Sequence, residues 1–372
     1  MITREIAQAS LQAKPLGEVA EFLDSRRKPV KQADRKPGPY PYYGANGQQG
    51  TIDGFIFDEP LILLAEDGGF FDDPDRGIAY RIQGKSWVNN HAHVIKPKDG
   101  LDLSYLCRVL ENYDVRPFIN GSTRSKLTKT QASQIPIPVP TLYEQKRIAA
   151  ILDQADALRR LRQRALDRIN TLGQAIFHEM FGRSQSTELI ELKTLGQVKT
   201  GSTPSTKVAE YFDGDIPFIT PGDLETDRPV ARYLSTAGAE KSRAVPAGST
   251  LVCCIGATIG KTDIARMDCT FNQQINAVEW SDKISPAYGY YAVRGLRPEI
   301  ERMGRGASTT LPILKKSLFQ ELRIPLADQI DQVEFESRIK AIEKHKELCT
   351  SSSICAENLF SSLQSRAFRG EL

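Results

Sequence analysis

The feature that most limits what this chain can fold into is that it repeats itself. Shifted by 187 residues, the second half overlays the first. Ile137-Pro138-Val139 falls on Ile324-Pro325-Leu326, Glu144-Gln145 on Asp331-Gln332, and Ile148, Leu172, Ile176 and Phe181 on Phe335, Leu359, Leu363 and Phe368. Upstream the match continues with small shifts. Residues 16–19 resemble 195–198, 40–43 resemble 216–219, 61–65 (LILLA) resemble 251–255 (LVCCI), 89–91 resemble 272–274, and 121–123 resemble 306–308. The order is collinear throughout, and the period far exceeds the roughly 20–50 residues of a solenoid repeat. The chain is a duplicated module, and each copy must be a domain with its own core.

The first part of each module reads as β-rich. Short apolar or alternating runs such as 61–65 and 88–95 are bounded by Gly, Pro, Asp and Asn, as at Asn46-Gly47, Asp67-Gly68-Gly69 and Pro221-Gly222. Short helices are expected at 103–112 and 286–294. Together these make an α+β domain of about 120–130 residues, an ordinary domain size.

The second part is helical. Pro136, Pro138 and Pro140 hold the chain extended. Thr141 can then cap a helix, with Glu144 completing a capping box. From there to Phe181 no proline occurs, and Gly173 is the only glycine. Ile148, Ile151, Leu152, Ala155, Leu158, Leu161, Ala165, Ile169, Leu172 and Ile176 form an apolar seam that Arg162 interrupts, and Gly182 supplies a stop. A second helix starts at Asp328 as cap. Its seam is Phe335, Ile339, Ile342, Cys349, Ala356, Phe360, Leu363 and Ala367, interrupted by Lys346 and Ser353, with a stop near Gly370. Each helix should be about 60 Å long at about 1.5 Å per residue. A stripe of that length must be buried against something, and the other copy is the obvious partner. Only 183–191 separates the first helix from the second domain, so the expected object is a dumbbell. It is an α+β chain with two tandem β-rich domains separated by a pair of long antiparallel helices, a coiled-coil bar, with pseudo-twofold symmetry. The expected segments are an extension 1–14, a domain 15–141, a helix 142–183, a domain 184–327 and a helix 328–372.

Composition excludes several classes. With 49 Lys and Arg against 46 Asp and Glu, the net charge is +3, less than a small basic nucleic-acid module would carry. No apolar run approaches about 18 residues, so no membrane span is expected, and Met1 to Lys14 lacks the apolar core of a signal peptide. Cys107, Cys253, Cys254, Cys269, Cys349 and Cys355 show no paired CxxC spacing, which argues for thiols in a reducing cytoplasm. Gly256-Ala257-Thr258-Ile259-Gly260-Lys261-Thr262 has one residue too few between its glycines for a phosphate-binding loop and reads as a strand-end turn. His91, His93, His178 and His345 form no HExxH. His91 and His93 alternate on one expected strand and could be ligands, but no metal is expected there. Glu66, Asp67, Asp72 and Asp73 read as turn residues.

The chain resembles the specificity subunit of type I restriction-modification systems over nearly its whole length. The resemblance rests on the module openings Leu16-Gly17-Glu18-Val19 and Leu195-Gly196-Gln197-Val198 and the domain ends Ile137-Pro138-Val139-Pro140 and Ile324-Pro325-Leu326. It extends to the helix start Tyr143-Glu144-Gln145-Lys146-Arg147-Ile148 and the ending Leu363-Gln364-Ser365-Arg366-Ala367-Phe368-Arg369-Gly370-Glu371-Leu372. Asp331-Gln332-Val333 departs from the Glu-Gln-Lys pattern of the family. The resemblance implies that each domain is a target-recognition domain reading one half of a split double-stranded DNA target, and that the bar acts as a ruler spanning one to two turns of about 34–36 Å. It implies a non-catalytic subunit that recruits two adenine-N6 methyltransferase subunits and can further recruit restriction subunits, with methyl donor, metal and ATP all held by those partners. This chain is then expected to hold no cofactor and no metal and to work in the cytoplasm without a membrane. Two rival readings remain: a DNA-modifying enzyme with an unrecognised motif, which would turn over DNA alone, and a helical scaffold that reads no sequence.

Base edges are read by Arg, Lys, Asn, Gln, Ser and Thr, and phosphates attract Arg and Lys. Three loops with this chemistry recur in both modules. In the first they supply Tyr42, Tyr43 and Asn46; Asn89, Asn90 and His91; and Ser122, Thr123, Arg124, Lys126 and Lys129. In the second they supply Thr220 and Asp223; Gln273, Gln274 and Asn276; and Arg302, Arg305, Ser308, Thr309, Lys315 and Lys316.

Overall fold

A computed structural model describes residues 13–73, 76–119, 125–182, 188–226, 228–306, 311–369 and 371–372. The chain divides into two compact units, Met1–Arg164 with Ser351–Leu372, and Ala165–Thr350. The division falls inside both long helices, so each unit contains part of each.

The first unit is built on β6 (Leu61–Ala65), which pairs antiparallel with β9 (Ala92–Pro97) and β7 (Ala79–Ile82), while β2 (Ala20–Phe22) flanks β9. A second sheet runs β4 (Gly47–Ile52), β3 (Tyr40–Gly44), β8 (Lys85–Val88), β5 (Phe57–Asp58), with β3 and β8 parallel. A two-strand ribbon, β1 (Ala13–Pro15) with β10 (Pro136–Pro138), closes the domain. The unbroken apolar run of β6 has a packing cause. Ile62 and Leu64 join the cluster under helix Leu103–Glu111, while Leu61 and Leu63 join Phe57, Val88 and Val94 on the other face. Both faces are covered, so no position is left for a polar residue. Each such side chain contributes about 1.5–3 kcal/mol by burial.

The second unit repeats this plan. Its sheets are β12 (Gly196–Thr200), β19 (Ile275–Trp280), β16 (Thr250–Cys253), β17 (Thr262–Ile264), and β14 (Tyr233–Leu234), β13 (Phe212–Ile219), β18 (Cys269–Phe271), β15 (Arg243–Val245). The parallel pair recurs as β13 and β18, and the ribbon as β11 (Leu189–Glu191) with β20 (Arg323–Pro325). The expected short helices form as Leu103–Glu111 and Pro286–Gly295, capped by Asp102 and Ser285.

Two sequence expectations need correction. Residues 88–95 are not one strand: β8 and β9 belong to different sheets, and the chain turns between them where Asn89 Oδ1 accepts the His91 N–H at 2.8 Å. Asn272 does the same for Gln274 at 3.1 Å. The repeat alignment also slips, by three at the module opening, where Leu16 N–H donates to Ile135 O and Leu192 N–H to Leu322 O, both at 2.9 Å, so Leu16 corresponds to Leu192 and not Leu195, and by two at the central strand. Glu66 N–H donates to His91 O and Cys254 N–H to Gln274 O, both at 2.8 Å, so Glu66 corresponds to Cys254 and 61–65 to 249–253. A two-residue slip keeps the alternation of faces, so the hydrophobic pattern does not reveal it.

The long helices are Leu142–Phe181 and Gln329–Arg369. Thr141 Oγ1 accepts the Glu144 N–H at 3.3 Å, but the Glu144 carboxylate pairs with Arg147 at 3.0 Å, so only half of the capping box forms. In the first unit Ile148, Ala149, Leu152 and Ala155 pack with Phe360, Ala367 and Phe368; in the second, Phe177 and Phe181 pack with Phe335 and Ile339. The start of each helix thus meets the end of the other, an antiparallel pairing. The seam is not buried along its whole length: Leu161 is 57% exposed, and Leu158 and Leu172 are also open. Near these positions in the first unit, ionic packing takes over. Arg159 bridges Asp156 and Glu357 and stacks 4.7 Å from the Phe360 ring centre.

Candidate nucleic-acid interface

The loops of the first unit converge at one end of its sheets. Asn46, exposed beyond β3, donates to Gly68 O at 2.9 Å. His91, just before β9, pairs through Nδ1 with Asp67. The Asp67 backbone forms an isolated antiparallel β-bridge with that of Lys126, and the exposed Lys126 ammonium lies 3.0 Å from Glu66 Oε1. Asn46, Asn90, His91 and Lys126 therefore surround the Glu66–Gly68 corner. Lys129, also exposed, opens a short helix 5.8 Å above the Phe22 ring. Tyr43 is half-buried against Tyr80. Ser122, Thr123 and Arg124 lie outside the described residues.

In the second unit Gln273 is exposed and takes a hydrogen bond from Thr203, and Gln274 is half-buried, donating to Ile255 O at 3.4 Å. Thr220 donates to Asp223 through both its N–H and its hydroxyl, and the other Asp223 oxygen accepts the Ala231 N–H at 3.1 Å. That carboxylate is thus spent on its own turn. Lys315 and Lys316 are exposed, while Ser308 and Thr309 lie outside the described residues.

Five residues are placed otherwise than expected. Tyr42 is buried, with its hydroxyl accepting from Val30 N–H and donating to Val30 O while Arg35 covers the ring. Asn89 is buried, its amide donating to Gln49. Asn276 is buried, accepting from Thr200 at 2.7 Å. These three hold loops and do not present polar edges to a partner, because their polar groups are already bonded inside the domain. Arg302 and Arg305 lie on a helix, Arg297–Gly306, not on a loop.

Sequence reasoning missed one group. Glu66 is not a turn carboxylate but part of a charged cluster with Asp24, Arg27, His93 and Lys126. Arg27 reaches Glu66 at 2.6 Å and Asp24 at 3.5 Å, and His93 reaches Asp24 at 2.6 Å. Burial pushes the Asp24 carboxyl up, but the His93 bond and charge, the Val94 N–H and the Arg27 charge outweigh it and hold it below its usual range. Glu66 is lowered in the same way, with bonds from Arg27 and Lys126 and the charges of His93 and Arg27 outweighing burial. Asp24, Glu66 and His93 offer ligand atoms within 4.8 Å of one another, the only such group among the described residues. Arg27 and Lys126 already balance the two carboxylates, so this donor set does not call for a metal. No local signal announces the cluster, since Asp24 and His93 are 69 residues apart.

The stretch 256–262 is the expected turn between β16 and β17, with Gly256 and Gly260 at φ of 105° and 89°. All six cysteines are free thiols. No helix among the described residues is long and apolar enough to cross a membrane.

Comparison with known proteins agrees with this duplicated plan. The family described as Type I restriction modification DNA specificity domain matches residues 10–171 and again 185–350. A Haemophilus influenzae protein described as a type I restriction enzyme specificity subunit is 33% identical over 72% of this chain and 71% of its own length. A Methanocaldococcus jannaschii specificity subunit is 32% identical over 38% of this chain and 34% of its own length. The crystal structure of a type I restriction-modification S subunit from M. genitalium superposes with a TM-score of 0.62 at 14% identity, covering 96% of both chains. A second structure, from work on assembly and conformational transition of the type I R-M system, gives 0.59 at 15% identity, covering 97% and 98%. These two likenesses concern the fold.

Proposed function

This chain belongs to the type I restriction-modification DNA specificity family, and on that premise we infer how its parts divide the work. It is the subunit that recognises the DNA target. Each unit reads one block of a bipartite target. The observation that carries this reading is that one sheet plan is built twice, while residues at matching positions of the loops differ: Asn90 and His91 against Gln273 and Gln274, Lys126 against Ile313, and Thr128 against Lys315. A scaffold gains nothing from such divergence.

The reading extends to partners and chemistry. Two methyltransferase subunits dock on the chain and carry out the transfer, restriction subunits can join them, and this subunit itself is non-catalytic. Asn46, Asn90, His91, Lys126 and Lys129 in the first unit supply the DNA contacts, with Arg124 from the same basic stretch. In the second, Gln273, Gln274, Arg302, Arg305, Lys315 and Lys316 do so. Selection from random-sequence duplexes by the chain together with its methyltransferase partner tests this. Two conserved blocks separated by a constant unread gap are expected. A single block, or no enrichment, would refute the bipartite reading.

A further inference from the structure

The charged cluster of the first unit sits directly beneath the basic stretch 125–129. His93 Nδ1 lies 2.6 Å from Asp24 Oδ2 and its Nε2 2.8 Å from Leu127 O. A carbonyl oxygen can only accept, so Nε2 carries a proton. Asp24 also accepts the Val94 N–H at 2.9 Å through its other oxygen. The ring is thus held at both nitrogens, and its side chain is only 1% exposed. Facing it are the Asp24 and Glu66 carboxylates, the latter at 3.7 Å, with Arg27 and Lys126 bound to Glu66 and the Phe22 ring edge-on at 5.6 Å.

These bonds tie down one short piece of chain. Leu127 N–H donates to Glu66 O at 2.8 Å, Leu127 O accepts from His93, and Lys126 pairs with the Glu66 side chain. The second unit has the same backbone frame, with Leu314 N–H donating to Cys254 O at 2.8 Å. There the ladder puts Asn276 in the place of His93, Thr200 in that of Asp24, Cys254 in that of Glu66 and Ile313 in that of Lys126. Where the first unit has the charged pair Asp24 and His93, the second has an uncharged one, with Thr200 donating to Asn276 at 2.7 Å.

We propose that His93 is the positioning residue for the DNA-contacting basic stretch of the first unit, its Nε2–H fixing the Leu127 carbonyl so that Lys126 and Lys129 are presented to the phosphate backbone. The inference rests on the DNA-recognition reading above. It does not require His93 to touch DNA.

The test uses the full chain with its methyltransferase partners and the target recovered by selection, the first unit's half being assigned by crosslinking. Affinity is measured on the intact target and with each half scrambled in turn. His93→Asn places an amide where Nδ1 was and cannot reach Leu127 O. His93→Gln places its amide where Nε2 was. Both remove the imidazole ring. His93→Asn is expected to lose about three- to ten-fold in affinity, the scale of one hydrogen bond. That loss should disappear when the first half is scrambled and persist when the second is, and His93→Gln should recover most of it. Equal loss in both variants, loss independent of which half is scrambled, or no loss overturns the proposal. In the wild-type chain, 15N spectra should show the His93 Nε2 protonated, and an Nε2 without a proton also overturns it. If the wild-type complex does not distinguish the intact target from scrambled DNA, the DNA-recognition reading fails instead.

Discussion

Gln145 and Gln332 should be worth the same stability, each in its own unit, although neither contacts the proposed interface. Both side chains are 0% exposed. Gln145 accepts the Asp102 N–H at 2.7 Å and donates to Gly100 O at 3.0 Å and Pro140 O at 2.8 Å. Gln332 accepts the Ser285 N–H at 2.8 Å and donates to Lys283 O at 3.0 Å and Ala327 O at 2.8 Å. Each glutamine thus joins the start of a long helix to the segment before a short one. Replacement by leucine, of similar size, leaves one backbone N–H and two carbonyls without a partner. At roughly 1 kcal/mol or more for each orphaned group, with some relief from water at the helix start, the cost is about 3 kcal/mol. For a unit of this size that lowers the melting temperature by about 6–12 °C. The assay is thermal and urea unfolding of Gln145→Leu and Gln332→Leu, with the neighbouring Glu144→Ala, which removes a half-exposed ion pair, as a control expected within about 0.5 kcal/mol of wild type. A cost below about 0.5 kcal/mol for either glutamine, or losses that differ by more than about 2 kcal/mol, would refute the claim that the two clips are equivalent.

Further outcomes are expected elsewhere. Gly173→Ala should destabilise the second unit by about 1–3 kcal/mol despite the better helix propensity of alanine, because a Cβ there would lie 2.1 Å from Tyr291 Oη and 2.5 Å from its ring; a raised melting temperature would contradict this packing. Asp24, Glu66 and Asp156 all sit below their usual carboxyl range, Asp156 because Arg108 and Arg160 outweigh its burial. The stability they add is complete above the ordinary range of about 4 and is lost as pH falls through the lowered values. Hydrogen exchange on acidification should therefore show the first unit opening before the second, and the reverse order would exclude this account. Arg124→Ala and Lys126→Ala should each weaken DNA binding similarly across sequences and reduce the salt slope by about one, and an unchanged slope would remove that residue from the phosphate contacts.

The duplication, the α+β class, the two long helices and the positions of the short capped ones could all be read from the chain. Each is written in neighbouring residues: a collinear repeat, a period of three and four, Thr141 before a helix and prolines before Thr141. Leu61–Ala65 was legible as a strand because its run is short and apolar. Its register against the second copy was not, because pairing by twos leaves every slip of two looking alike. Tertiary structure alone decided that 88–95 is cut between two sheets, that Tyr42, Asn89 and Asn276 face inward, and that the middle of the helix seam stays open. It alone assembled Asp24, Arg27, Glu66, His93 and Lys126. A local pattern records which way a residue can point. Which distant residues end up beside it depends on strand pairing and sheet packing, and charges drawn from four separate stretches of chain leave no shared spacing to read.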